Sequence, residues 1–165
     1  MSDKKKFISL GIDPNSEFVA FGIIISDNRL WGYGTIKNDN IIKGLDDVIN
    51  KVQTSTGLTV DCIGIEDFIN YGNVVGKSSF NTVKNIGYVM AYAKIRGFDC
   101  RLFSKPTINK YLSGRGISKK KEIGQIVQWY LGTDKKITPV HCADATGVAI
   151  VSKNVLVLER SRTSN

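Results

Sequence analysis

The first forty residues carry three short apolar runs broken by turn-forming residues. The stretches 7–13, 18–26 and 29–36 read as successive strands, and their joins, "DPNS" (13–16) and "DN" (27–28), suit antiparallel hairpins. From residue 41 the period changes. Ile41, Ile42, Leu45, Val48, Ile49 and Val52 recur at the spacing of an amphipathic helix, predicted over 41–54. A strand at 60–66, a polar loop holding Gly72 and Gly76, a long helix over 79–96 and a strand at 99–103 follow. A short helix opens near Pro106, and Ser118 can cap the next one. The last helix starts at "TPVHCADATGVAIV" (138–151), with Thr138 as N-cap and Pro139 in the first helical position. Three antiparallel strands followed by helix-linked strands imply an α/β fold, a mixed sheet with helices on its faces. No repeat or linker interrupts the pattern, so 1–158 reads as one domain and 159–165 as a polar, frayed tail.

Composition narrows the class. A chain of 165 residues can bury a core without disulfides or a structural metal. No run approaches the roughly 20 apolar residues of a membrane span, and the apolar run after "MSDKKKF" is too short for a signal peptide. Cys62, Cys100 and Cys142 lack C-x-x-C spacing and sit in apolar contexts, as reduced core thiols of a cytoplasmic protein would. The net charge of +8 is segregated: residues 1–70 hold 7 Lys and Arg against 10 Asp and Glu, and the remainder 16 against 5. Clustered lysines in a basic domain suit a polyanion such as nucleic acid, although a merely solvated basic surface has the same composition. Lys105, Lys110, Arg115, Lys119, Lys120 and Lys121 make the densest region, with Lys77 further upstream.

The candidate chemistry lies in a repeated arrangement. In "LGIDPNS" Gly11 precedes Asp13 by two, and in "IGIEDF" Gly64 precedes Glu66 by two. Alternate strand residues share a face, so each glycine clears space beside its acid where a second backbone can approach. On the last helix His141 and Asp144 stand at i and i+3, on one side of the first turn. Carboxylates gathered together repel unless cations lie between them. Two Mg²⁺ ions, with Mn²⁺ as the alternative an imidazole accepts, would supply that charge and suit phosphodiester hydrolysis. Each residue also has a plainer reading. Asp13 can serve only the turn, Asp144 only the helix dipole, His141 a boundary hydrogen bond, and Asp67 is a rival ligand or a solvated loop acid.

The ordered set "LGIDPNS", "IGIEDF" and "HCADATGVAI" resembles the RuvC-type Holliday-junction resolvases of the ribonuclease-H-like superfamily over nearly the whole chain. The resemblance implies a five-stranded mixed sheet, a homodimer, Mg²⁺- or Mn²⁺-dependent hydrolysis and paired nicks in a four-way DNA junction. It places Asp13, Glu66, His141 and Asp144 at the metal site. Lys120 falls where the family has a basic active-site residue, in a helix after a Gly-rich turn. Many members have aspartate where His141 stands, and some have histidine. Asn15 replaces a common glycine, which asparagine's access to left-handed conformations allows. Phe68 lies one residue before an aromatic that many relatives direct at the junction, and is either a stacking residue or a core phenylalanine. The 79–96 helix fits the family's dimer interface or an entirely buried helix. Three other functions fit parts of the pattern: a junction-binding protein with weak chemistry, a nuclease of RNA–DNA hybrids, and a sugar-kinase-like ATPase. The last is disfavoured by the chain's length and its lack of a Gly-rich phosphate loop.

Overall fold

A computed structural model describes residues 6–69, 76–114 and 120–163, except for the side chains of Lys120 and Lys121. Ser118, Gly72, Arg115 and Lys119 lie outside the described residues. Five strands, β1 (Ile8–Pro14), β2 (Phe18–Ile25), β3 (Leu30–Lys37), β4 (Val60–Glu66) and β5 (Asp99–Phe103), form one sheet in the order β3-β2-β1-β4-β5. Strands β1 to β3 pair antiparallel, and β4 and β5 join parallel. Five helices follow the predicted order: α1 (Ile41–Thr56), α2 (Lys77–Arg96), α3 (Lys105–Ser113), α4 (Lys120–Leu131) and α5 (Val140–Thr163).

The two sheet faces are built differently. Ile8, Leu10 and Ile12 of β1 and Ile63 and Ile65 of β4 point to one face, where they pack with Leu45, Ile49 and Val52 of α1 and Ile86 and Val89 of α2. The opposite face carries a row of three glycines, because Gly11 pairs with Gly22 on one side and Gly64 on the other. Helix α5 lies along this row. A Cβ added at Gly11 would fall 2.0 Å from the Ala145 carbonyl oxygen and 2.3 Å from the Ala149 nitrogen, and one at Gly22 2.3 Å from Thr146 Oγ1. At Gly64 it would meet Ser152 Cβ at 2.9 Å. The missing side chains at Gly11 and Gly22 therefore admit a second backbone, as predicted for the glycine two residues before Asp13, whereas Gly64, two before Glu66, makes room for helix side chains instead. Ser9, on the same face, donates to the Ala149 carbonyl at 2.8 Å.

Several boundaries differ from expectation. Helix α2 begins at Lys77 rather than 79, and it is not buried all round: Phe80, Val83 and Met90 are exposed while Ile86, Val89 and Ala93 are buried. Helix α5 begins at Val140. The carbonyl of Pro139 accepts from the Cys142 N–H at 2.9 Å, so this proline, joined to Thr138 by a cis peptide bond, precedes the helix instead of opening it. The polar end is not frayed. Helix α5 continues to Thr163, with Glu159 paired to Arg101 of β5 at 2.7 Å and Arg160 to Asp61 of β4 at 2.7 Å. The three cysteines are free, with Cys62 and Cys142 buried; burial pushes the Cys100 and Cys142 thiols up to about 11. Among the described residues no helix is long and apolar enough to cross a membrane.

Candidate metal centre

The site forms where β1 and β4 end and α5 begins. Gly11 and Gly64 are register partners, as are Ile12 and Ile65, so Asp13 and Glu66 extend from adjacent parallel strands on the glycine face. Helix α5, drawn onto that face by the glycines, brings its first turn to the same edge. Asp13 Oδ2 lies 2.7 Å from His141 Nδ1, a hydrogen bond in which the ring N–H donates in the Nδ1-protonated tautomer. Phe18 packs edge-to-face with the imidazole, ring centroids 5.5 Å apart at 77°. One ligand atom each from Asp13, His141 and Asp144 lies within 4.8 Å of the others.

Glu66 is tied to this group through a lysine. Lys105, opening α3 directly after β5, donates to Glu66 Oε2 at 3.2 Å and to Asp144 Oδ2 at 3.3 Å. Lys105, expected among the DNA-contacting cations of a basic surface, here stands within the acidic cluster. The signal that could have found it is positional. Glu66 pairs with Phe103 of β5, so a residue following Phe103 arrives beside Glu66.

Burial and mutual repulsion dominate the electrostatics. Burial raises the Asp13 carboxyl above its ordinary value, and the His141 hydrogen bond opposes this. Burial, then the Asp13 charge, pushes Glu66 up to about 7 against the pull of Lys105. Burial alone would lower Lys105, but the charges of Glu66 and Asp144 outweigh it and the ammonium is held above its ordinary value. Asp144 is 4% exposed, and its Oδ1 has no hydrogen-bond partner among the described residues. A buried carboxylate oxygen without a donor, beside a second carboxylate and an imidazole, fits a divalent cation with oxygen and nitrogen ligands.

The turn after Asp13 is also held. Asn85 of α2 donates to the Asn15 carbonyl and to Asn38 Oδ1, both at 2.7 Å. Asn15 does not use a left-handed conformation, which among the described non-glycine residues belongs to Asn28; its side chain accepts from the Glu17 N–H at 2.8 Å. Sequence reasoning missed Asn85 and Phe18, because neither carries a motif. Asp67, the rival acid, stays outside the three-ligand group, and its N–H donates to the Phe103 carbonyl. Phe68, 36% exposed just beyond β4, is not a core residue. Lys77 and Lys110 are exposed at the start of α2 and the end of α3. The backbone of Lys120 and Lys121 opens α4.

The sequence profile of the family described as "Crossover junction endodeoxyribonuclease RuvC" matches residues 9–152, which take in all but the first residue of β1, all of β4 and the first half of α5. The chain belongs to the RuvC family. Its members are metal-dependent endonucleases that resolve crossover junctions. RuvC of Francisella tularensis subsp. novicida is 28% identical over 151 residues, covering 87% of this chain and 85% of the relative. RuvC of Fusobacterium nucleatum is 25% identical over 167 residues, covering 94% and 86%. Thermus thermophilus RuvC superposes with a TM-score of 0.71 at 17% identity, over 94% of this chain and 97% of that one. The same protein solved with a Holliday junction substrate gives 0.70 at 19% identity, covering 87% and 91%. These superpositions agree with the ribonuclease-H-like fold: a five-stranded mixed sheet, three strands antiparallel and two joined parallel, helices on both faces.

Proposed function

We propose that this RuvC-family chain cuts Holliday junctions and related branched DNA by paired nicks, using two Mg²⁺ ions held by Asp13, Glu66, His141 and Asp144, with Mn²⁺ as a substitute. The observation that carries this reading is the convergence of Asp13, His141 and Asp144 from β1 and α5, with Glu66 beside them. Bound divalent cations would polarise the attacking water and offset charge on the leaving oxygen. The chain's own residues do the rest. Asp13 is oriented by its hydrogen bond with His141, and His141 in turn packs edge-to-face with Phe18. The steric fit of α5 in the glycine row keeps Asp144 at a fixed distance from Asp13. Lys120 would offset negative charge on the scissile phosphate.

The DNA surface in this reading comprises Phe68, Lys77, Lys105, Lys110, Arg115, Lys119, Lys120 and Lys121, with Phe68 stacking on a base. The protein acts as a cytoplasmic homodimer, whose two sites match the two-fold symmetry of a junction. Supporting the dimer is the outer face of α2, where Phe80, Val83 and Met90 are exposed around Gly87, which has open space above it. Met90→Glu should leave a monomer by analytical ultracentrifugation and uncouple the two nicks. Asp13→Asn should lower cleavage of a labelled junction by on the order of 10²–10³-fold while binding persists in a gel-shift assay. Nicking by that variant near the wild-type rate, or nicking by the wild type in EDTA, refutes the reading. Running RNA–DNA hybrids beside junctions, flaps and forks tests the alternative substrate.

A further inference from the structure

Lys105 occupies the oxygen atoms that a cation on the Glu66 side of the site would need. Its Nζ lies 3.2 Å from Glu66 Oε2 and 3.3 Å from Asp144 Oδ2, bridging an acid of β4 and an acid of α5. The lysine is placed there by local structure. Ser104 caps α3, its side chain accepting from the Thr107 N–H, and Lys105 is the first helical residue after β5. Its side chain is 35% exposed, so the flexible stem has solvent to move into, whereas Asp144 is buried. The other oxygen of Asp144, Oδ1, is buried and accepts no hydrogen bond among the described residues. Asp13, Glu66 and Asp144 are the acids facing this ammonium, and the His141 ring lies against Asp13.

Resting on the reading of these acids as a divalent-cation site, we infer that Lys105 is an internal placeholder cation, which bridges Glu66 and Asp144 and must release both when a divalent ion binds between them. A Mg²⁺ ion demands its oxygens at about 2.0–2.1 Å, and a second positive charge on those oxygens repels it. Loading therefore breaks two ammonium–carboxylate contacts. The same contacts hold the acids against mutual repulsion, so the lysine both prepares the site and weakens its apparent affinity. It sets the cation concentration at which the site fills. The released ammonium is then free to meet the phosphate backbone, the role its position in the basic half of the sequence suggests.

Calorimetric titration of Mn²⁺ into the full chain, without DNA, tests the inference. Lys105→Met should bind Mn²⁺ on the order of tenfold tighter than the wild type. Lys105→Arg, whose guanidinium engages carboxylates bidentately, should bind no tighter than the wild type. In EDTA, Lys105→Met should melt below the wild type and gain more from added Mn²⁺. Where that variant does not fold without the ion, Lys105→Gln, which keeps a donor without the charge, must tighten Mn²⁺ binding in the same sense. Equal or weaker Mn²⁺ binding by the uncharged variants, or equal tightening by the arginine variant, overturns the placeholder role and leaves the metal site standing. Absence of Mn²⁺ binding in wild type and variants alike overturns the metal-site reading itself.

Discussion

The two faces of the sheet bury similar strands under helices by opposite means. Beneath α1 and α2 the strands project isoleucine, leucine and valine, and the helices rest on a layer of side chains. Beneath α5 the central strands project glycine: at Gly11 and Gly22 helix backbone meets strand backbone, and at Gly64 the helix's Ser152 and Val148 side chains press onto the strand. A side-chain layer can absorb a change of one methylene by repacking. A backbone contact has nothing that can rotate out of the way. The tolerant face holds the fold, and the intolerant face fixes where Asp144 and His141 stand relative to Asp13 and Glu66.

The largest test of this contrast is Gly11→Ala. Its Cβ would overlap the Ala145 carbonyl and the Ala149 nitrogen, so α5 must lift. Denaturant unfolding should record a loss of about 3 kcal/mol or more, at the upper end of overpacking costs, and junction cleavage should fall with it. Gly64→Ala comes next. Its nearest neighbours are the side chains of Ser152 and Val148 at 2.9 and 3.0 Å, so a loss of about 1–2 kcal/mol with partial cleavage is expected. Ile49→Val on the other face removes one buried methylene and should cost about 1 kcal/mol while the cleavage rate stays unchanged. A cleavage defect in Ile49→Val as large as that in Gly64→Ala would end the distinction between the faces.

The mildest test is a pH profile. Because burial lifts Glu66 from its ordinary 4.5 to about 7, the folded chain binds a proton that the unfolded chain has released across that window. The contribution from Glu66 is full below about pH 4.5 and is lost as pH rises through 7. Melting temperatures in EDTA should therefore decline over this range more steeply for the wild type than for Glu66→Gln, and Ile49→Val should keep the wild-type slope.

Local pattern carried the strands, most helices and the acids, since period-two alternation and a glycine beside each acid are written in consecutive residues. Gly11 and Gly64 even announced that something would come close, and that something is α5. What lay beyond reach depended on pairing between distant segments. Lys105 looks like one more basic residue until β5 lies parallel to β4 and delivers it beside Glu66. Asn85 is an unremarked polar residue in a long helix until that helix crosses the turn after Asp13. The polar residues from Glu159 onward resemble a loose end because their partners, Arg101 and Asp61, sit in other strands. Composition misleads where a charge is neutralised across the chain.

Those distant ion pairs have a mechanical meaning. Glu159 and Arg160 are some 18 residues beyond His141, roughly 27 Å along a straight helix. A rod clamped only at its loaded tip would swing about that tip, and the smallest wobble at its tail would twist His141 and Asp144. With its tail strapped to β4 and β5 and its middle seated in a groove, α5 behaves as a beam on two supports, and the alignment of its first turn is kept by residues at the helix's far end.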